Sequence, residues 1–153
     1  MDSREFRNCM GHFATGVTVV TCDTEEGIHG ITANSFTSVS LDPPLVLVSI
    51  DRKAKALKYL QNNNFTVNIL NEDQEDIAMH FAGRPLGEPT FQLVEGKLCT
   101  RLKETLAYVA CEPWAEYDGG DHVLYVGKVN EFNYTSGRPL AYYCGKFSNV
   151  LPK

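Results

Sequence analysis

Polar and apolar residues alternate with a period of two through several short stretches of this chain. Helical spacing holds over only three. Val17 to Cys22 is rich in β-branched residues and alternates well enough for a strand. Asp23-Thr24-Glu25-Glu26-Gly27 is polar and ends in glycine, the chemistry of a hairpin loop. A second strand starts near Ile28 and runs into Gly30 to Ser40, and a third covers Leu45 to Ile50. Phe65 to Leu70, Leu106 to Cys111, Val123 to Phe132 and Leu140 to Cys144 continue the series, with a turn at Asp118-Gly119-Gly120-Asp121. Helices are expected from Asp2 to Met10, from Lys55 to Asn62 and from Asp73 to Ala82. The Asp2/Glu5 pair has capping-box spacing, and the third helix carries acidic residues in its first turn. Pro85, Gly87 and Pro89 mark the longest irregular segment. About six strands with only short helices predict a mainly β fold, a small antiparallel barrel of Greek-key type.

No shift in composition interrupts the chain, so its 153 residues (1–153) read as a single domain. Net charge of −5 supplies no global field for nucleic acid or an anionic membrane, so a phosphate-bearing ligand needs local cations and amides. The five cysteines are odd in number and widely spaced, with no Cys-x-x-Cys and no histidine at metal-ligand spacing. They are expected to be free thiols in a cytoplasmic protein. No secretory h-region opens the chain, and no apolar run is long enough to span a bilayer. Gly11 to Gly16 begins like a P-loop, but Val17 stands where the lysine belongs. There is no Gly-x-Gly-x-x-Gly either, which excludes Rossmann-type nucleotide binding.

Chemistry concentrates between Gly30 and Ser40. Thr32, Ser35, Thr37, Ser38 and Ser40 supply short donors, while Gly30 and Ala33 leave room. Such a segment suits a flat polar heterocycle or a phosphate; it equally suits a Ser/Thr-rich loop joining two strands. The motifs decide between them. Phe6-Arg7, Met10-Gly11 and Phe13-Ala14-Thr15-Gly16-Val17-Thr18-Val19-Val20-Thr21 form a first block, and Gly30 to Ser40 with Asp42-Pro43-Pro44-Leu45-Val46 a second. Val67-Asn68-Ile69-Leu70, Phe81-Ala82-Gly83, Gly120-Asp121-His122 with Gly127, and Pro139-Leu140 with Tyr142-Tyr143 and Gly145-Lys146 complete six blocks. In this order the sequence resembles the short-chain flavin reductases, the small components of two-component flavin-dependent monooxygenases, over nearly its whole length.

The resemblance implies an FMN-binding split barrel and NAD(P)H:flavin oxidoreductase activity. FMN or FAD would be reduced by NADH or NADPH and passed to a partner monooxygenase. It places the flavin across Thr32, Ala33, Asn34, Ser35, Ser38, Val39 and Ser40, with Asn68 reaching its edge and Phe81 near it. Ser49 and Asp51 end the following strand, and Lys53 and Lys55 would add phosphate-binding charge at the next helix. There the family more often has Ser or Thr where this chain has Ala54. His122 would face the nicotinamide and Tyr143 a cofactor, while Tyr142, Tyr143 and Phe147 would help form a homodimer interface. His12, His29 and His80 read as surface or packing residues. No residue is assigned as a catalytic acid or base, since hydride transfer mainly requires two aligned rings. A non-enzymatic flavin-binding or electron-carrier barrel is the competing reading; a pyridoxamine-phosphate-oxidase-like enzyme lacks its basic phosphate set here.

Overall fold

The computed structural model describes residues 1–88 and 90–153, so the expected loop residue Pro89 lies outside the described residues. Helix α1 (Ser3–Met10) begins as the sequence requires: the Asp2 carboxylate accepts from the Arg4 and Glu5 backbone N–H groups. Two short strands, β1 (Thr15–Gly16) and β2 (Thr18–Thr24), lead to β3 (Gly27–Ala33), β4 (Phe36–Leu41) and β5 (Pro44–Asp51). Then come α2 (Ala56–Leu60), β6 (Phe65–Ile69), α3 (Glu75–Phe81) and the small pair β7 (Leu93–Val94) and β8 (Arg101–Leu102). A long hairpin of β9 (Ala107–Gly119) and β10 (His122–Tyr134) follows, and β11 (Leu140–Tyr143) with β12 (Lys146–Asn149) closes the chain.

The mainly β expectation holds. Its central feature is a seven-stranded sheet in the order β3-β2-β6-β9-β10-β5-β4 with antiparallel neighbours throughout. The stretch from Gly30 to Ser40 is therefore not a loop. It is strand on both sides of a bend at Asn34 and Ser35. Strands β3 and β4 sit at opposite edges of the sheet, yet only those two residues separate them. Three Cα steps reach at most ~11 Å, so the sheet is rolled until its edges meet at this corner. The smaller sheet, β1-β11-β12, was missed at β12 because Lys146 to Asn149 is too short and polar to show a period.

Burial explains the patterns. In β5, Val46, Val48 and Ile50 face inward and are buried, while Leu45, Leu47 and Ser49 face outward and are half-buried. Strand β2 is buried on both faces, which is why it reads as an unbroken β-branched run. Val20 and Cys22 enter the larger core with Phe65, Val67 and Tyr125; Val17 and Val19 enter a second core with Leu70, Ile77 and Leu140. Gly127 lets β10 approach closely: a Cβ there would stand 2.6 Å from the Phe65 ring and 2.7 Å from Cys111 Cβ. All five cysteines are free. Burial pushes the Cys22 and Cys111 thiols up to about 12 and Cys99 to about 11. No helix among the described residues is long and apolar enough to cross a membrane.

Candidate functional site

The corner where the sheet edges meet is tied by a reciprocal pair of bonds. The Ser49 N–H donates to the Ser35 carbonyl (3.1 Å), and the Ser35 hydroxyl donates to the Ser49 carbonyl (2.6 Å). On one side lies a groove of about 660 Å³ lined by Thr32, Ala33 and Asn34 from β3 and the bend, Glu75 and Met79 from α3, and Tyr142, Lys146 and Phe147 from the β11–β12 hairpin, with Arg84 at its rim. On the other lies a groove of about 470 Å³ lined by Phe13 to Gly16, Asn34 to Thr37, Leu47 and Ser49. Asn34 lines both. A larger concavity, about 720 Å³, opens between the Asp23–Glu26 hairpin and α2, but Asp23, Glu25 and Glu26 line it. A phosphate would meet three carboxylates there with only Lys58 in opposition.

The donor set at the corner fits a flat ligand with a polar edge. The Thr15 hydroxyl is buried without a hydrogen-bond partner, and such a group costs about 1–3 kcal/mol if nothing meets it. Beside it Gly16 is open, since a Cβ there meets nothing within 4 Å. Asn34 carries an amide able to donate and accept. Arg84 and Lys146 supply positive charge across the bend, where the sequence pattern assigned none. Thr32 is less free than expected, because its hydroxyl donates to the Ala78 carbonyl of α3 (2.6 Å).

A second cluster continues along the same strand. Ser49 and Asp51 share a face of β5, about 7 Å apart along the strand. Asp51 is paired in register with His122 of β10. His122 Nδ1 lies 2.8 Å from Asp121 Oδ1, and that contact, with a smaller effect of Lys53, holds the Asp121 carboxyl below the ordinary carboxylate range. The Asp51 carboxylate caps the Lys53 N–H (2.8 Å). Lys53 thus belongs to the turn after β5 and not to the helix. Lys55 is the residue before α2, a helix of only five residues with no side-chain cap. It stands near His29, whose imidazole is lowered first by burial and then by Lys55 and Lys58. The two lysines do not open the helix together.

Several expected site residues do not line the two grooves. Asn68 is fully buried: its Nδ2 donates to the Val19 carbonyl (2.8 Å) and Thr21 Oγ1 (3.0 Å), and its Oδ1 accepts the Leu102 N–H (2.9 Å). Both ends of the amide are used inside the protein, so no ligand edge is needed to satisfy it. Ser38, Val39 and Ser40 follow β4 away from the corner and line neither groove; Ser40 stands about 16 Å from Ser35 along the strand. Val39 occupies the register shift between its neighbours and is exposed. Phe81 packs between His80 and Phe91 and over Gly30, where a Cβ would stand 2.6 Å from its ring. Tyr143 faces His12, with ring centres 6.2 Å apart. Tyr142 lines the groove in its place and meets Phe147 edge to face, so these two rings face the molecule's own groove and core. Alternation along β11 sends adjacent tyrosines to opposite faces, and the sequence alone does not say which is inward.

Comparison with known proteins identifies the family. Residues 10–151 match the family described as flavin reductase like domain. An NADH-dependent flavin reductase of Rhodococcus is 43% identical over 148 residues, covering 94% of this chain and 84% of that protein. The reductase component of a Thermus thermophilus 4-hydroxyphenylacetate 3-monooxygenase is 42% identical and covers 90% of each. Among solved structures, flavin reductase PheA2 superposes with a TM-score of 0.95 at 43% identity, over 99% of this chain and 100% of that one. The Streptomyces globisporus NADH:FAD oxidoreductase in complex with NAD and FAD fragments gives 0.92 at 34% identity, over 99% and 94%.

Proposed function

The chain belongs to the flavin reductase family, and on that premise we propose that it is an NADH-dependent flavin reductase supplying reduced flavin to a separate monooxygenase. Residues 1–153 form the single domain that does this. The observation that carries the reading is the corner itself: one bend, Asn34-Ser35, lines two grooves, beside a buried hydroxyl that lacks a partner. FMN or FAD would lie against Thr32 to Ser35 with Thr15 and Ser49 at its polar edge. The relatives named above for a donor are named for NADH, which supports NADH here.

When both are bound, flavin and nicotinamide supply the hydride chemistry, and the protein's part is alignment. Asn34 and the Thr15 hydroxyl would hold the polar edge of the ring. Tyr142 and Phe147 wall the groove against water, and Arg84 and Lys146 counter phosphate charge. His122, at the outer end of the β5–β10 pair, is placed to hold the dinucleotide. The alternative, a flavin carrier without reductase activity, has no need of a donor contact.

One assay separates the two: aerobic NADH oxidation with and without added flavin. Flavin-dependent turnover is expected, and its absence with bound flavin present favours the carrier. In the same assay His122→Ala is expected to raise the NADH KM by about tenfold, ~1.4 kcal/mol, with flavin affinity within twofold. Equal effects on both ligands, or a lower melting point with normal NADH kinetics, would make His122 a structural residue. The reading also includes a two-fold homodimer, supported by exposed Phe6, Met10 and Phe13 along one side of α1 and its exit. Light scattering at micromolar concentration should return the mass of two chains; a single-chain mass removes this part.

A further inference from the structure

His122 opens β10 directly after a tight turn, paired in register with Gly119 of β9 and Asp51 of β5. Gly120-Asp121 joins β9 to β10 at the end of a long hairpin, and Gly120 adopts a positive φ of 68°. Two adjacent glycines give such a turn wide conformational freedom. It is gripped from outside by one residue of the neighbouring loop. The Arg52 N–H donates to the Asp121 carbonyl (2.9 Å), its Nε donates to the Gly120 carbonyl (2.9 Å), and its Nη2 donates to Asp118 Oδ1 (2.6 Å). Three bonds from one arginine therefore span the turn from end to end, two of them from its guanidinium and one from its backbone.

The geometry points to Arg52 as a positioning residue for His122. We propose that its guanidinium fixes the turn so that the imidazole is presented in one place and one tautomer. The inference rests on the nicotinamide role given to His122 above. The contacts are consistent with orientation and not with bulk stability. Arg52 and Asp118 have side-chain exposures of 42% and 94%, and such an ion pair contributes little to folding. What the fork provides is direction, because a planar guanidinium holds two acceptors at fixed angles and a lysine cannot. The ionised Asp121 carboxylate only accepts, so its contact with Nδ1 places a proton on Nδ1. If the turn moves, Asp121 and His122 move with it. Arg52 also sits between Asp51 and Lys53, so the loop that carries their charges and the turn that carries His122 are held as one unit.

The test uses the full-length chain and the variants Arg52→Ala, Arg52→Lys and His122→Ala. Three measurements are taken: steady-state kinetics with each substrate varied, the melting curve, and ¹⁵N shifts of the His122 ring without ligand. Arg52→Ala is expected to raise the NADH KM about fivefold, with kcat and flavin Kd within twofold and the melting point within ~2 °C. The free protein's single His122 tautomer should become a mixture. Arg52→Lys should not restore either property, because it lacks the second donor of the fork. An unchanged tautomer in Arg52→Ala overturns the inference on its own. So does a fall in melting point with both ligands weakened alike. If His122→Ala leaves the NADH KM unchanged, the role given to His122 fails instead, whatever the Arg52 variants do.

Discussion

Gly16→Trp is expected to abolish flavin binding while leaving the fold intact. Gly16 lies in β1, paired with Ala141 of β11, and its Cβ direction opens on free space. The same residue lines the groove that contains Asn34, Ser35 and Ser49. An indole there would occupy the volume proposed for the ring. Flavin Kd should rise by at least about a hundredfold, or ~2.8 kcal/mol. Fluorescence titration measures the affinity, and a melting curve confirms that the variant is folded. Val39→Trp is the control, since Val39 is exposed on β4 away from both grooves. A folded Gly16→Trp protein with normal flavin affinity removes the corner from the site. Weakening by Val39→Trp alone would return the site to the Ser38–Ser40 arm of β4.

Asn68→Leu should act in the opposite way, striking the fold and sparing the chemistry. The side chain bridges β6 to β2 and β8, and it is the partner of the buried Leu102 N–H. Leucine is similar in size but provides no hydrogen bonds. The Leu102 N–H loses its acceptor, and Val19 and Thr21 lose a donor, at a cost of about 3 kcal/mol. For a domain of this length the melting point should fall by roughly 6–12 °C. Thermal unfolding followed by circular dichroism reads the fall. Flavin affinity, measured well below the transition, should stay within twofold. A stable variant with weakened flavin binding would show that Asn68 meets the ligand after all.

Asn68 also shows where the sequence could be read and where it could not. An asparagine in an apolar strand announces a buried polar need, but the sequence does not say whether ligand or backbone meets it. Here β2 and β8 do, and both are distant in sequence. The local signals were reliable: Asp2 caps α1, the β-branched run of β2 is buried on two faces, and Gly119-Gly120 turns the long hairpin. The segment from Thr32 to Ser35 is at the corner because composition and motif agreed on it. Ser38 to Ser40 share its composition but lie beyond the bend, and the position of a bend is set by where the sheet closes. Arg84 and Lys146 went unassigned for a similar reason. They reach the groove from α3's exit and the β11–β12 hairpin, which only tertiary structure brings together.

The rolled sheet has one more consequence, for the order of events in folding. Asn34 and Ser35 join the two edges, so the corner is the seam of the barrel. It exists only after every strand between those edges has found its neighbour. An open or partly paired sheet keeps its strands but has no groove at all. Ligand therefore distinguishes the finished barrel from every unfinished one, and by mass action it deepens only that state, by about 2.7 kcal/mol at a hundred times Kd. Flavin bound at the corner would thus act as a selective folding ligand as well as a substrate, withdrawing closed molecules from the equilibrium in which open sheet edges could pair with one another.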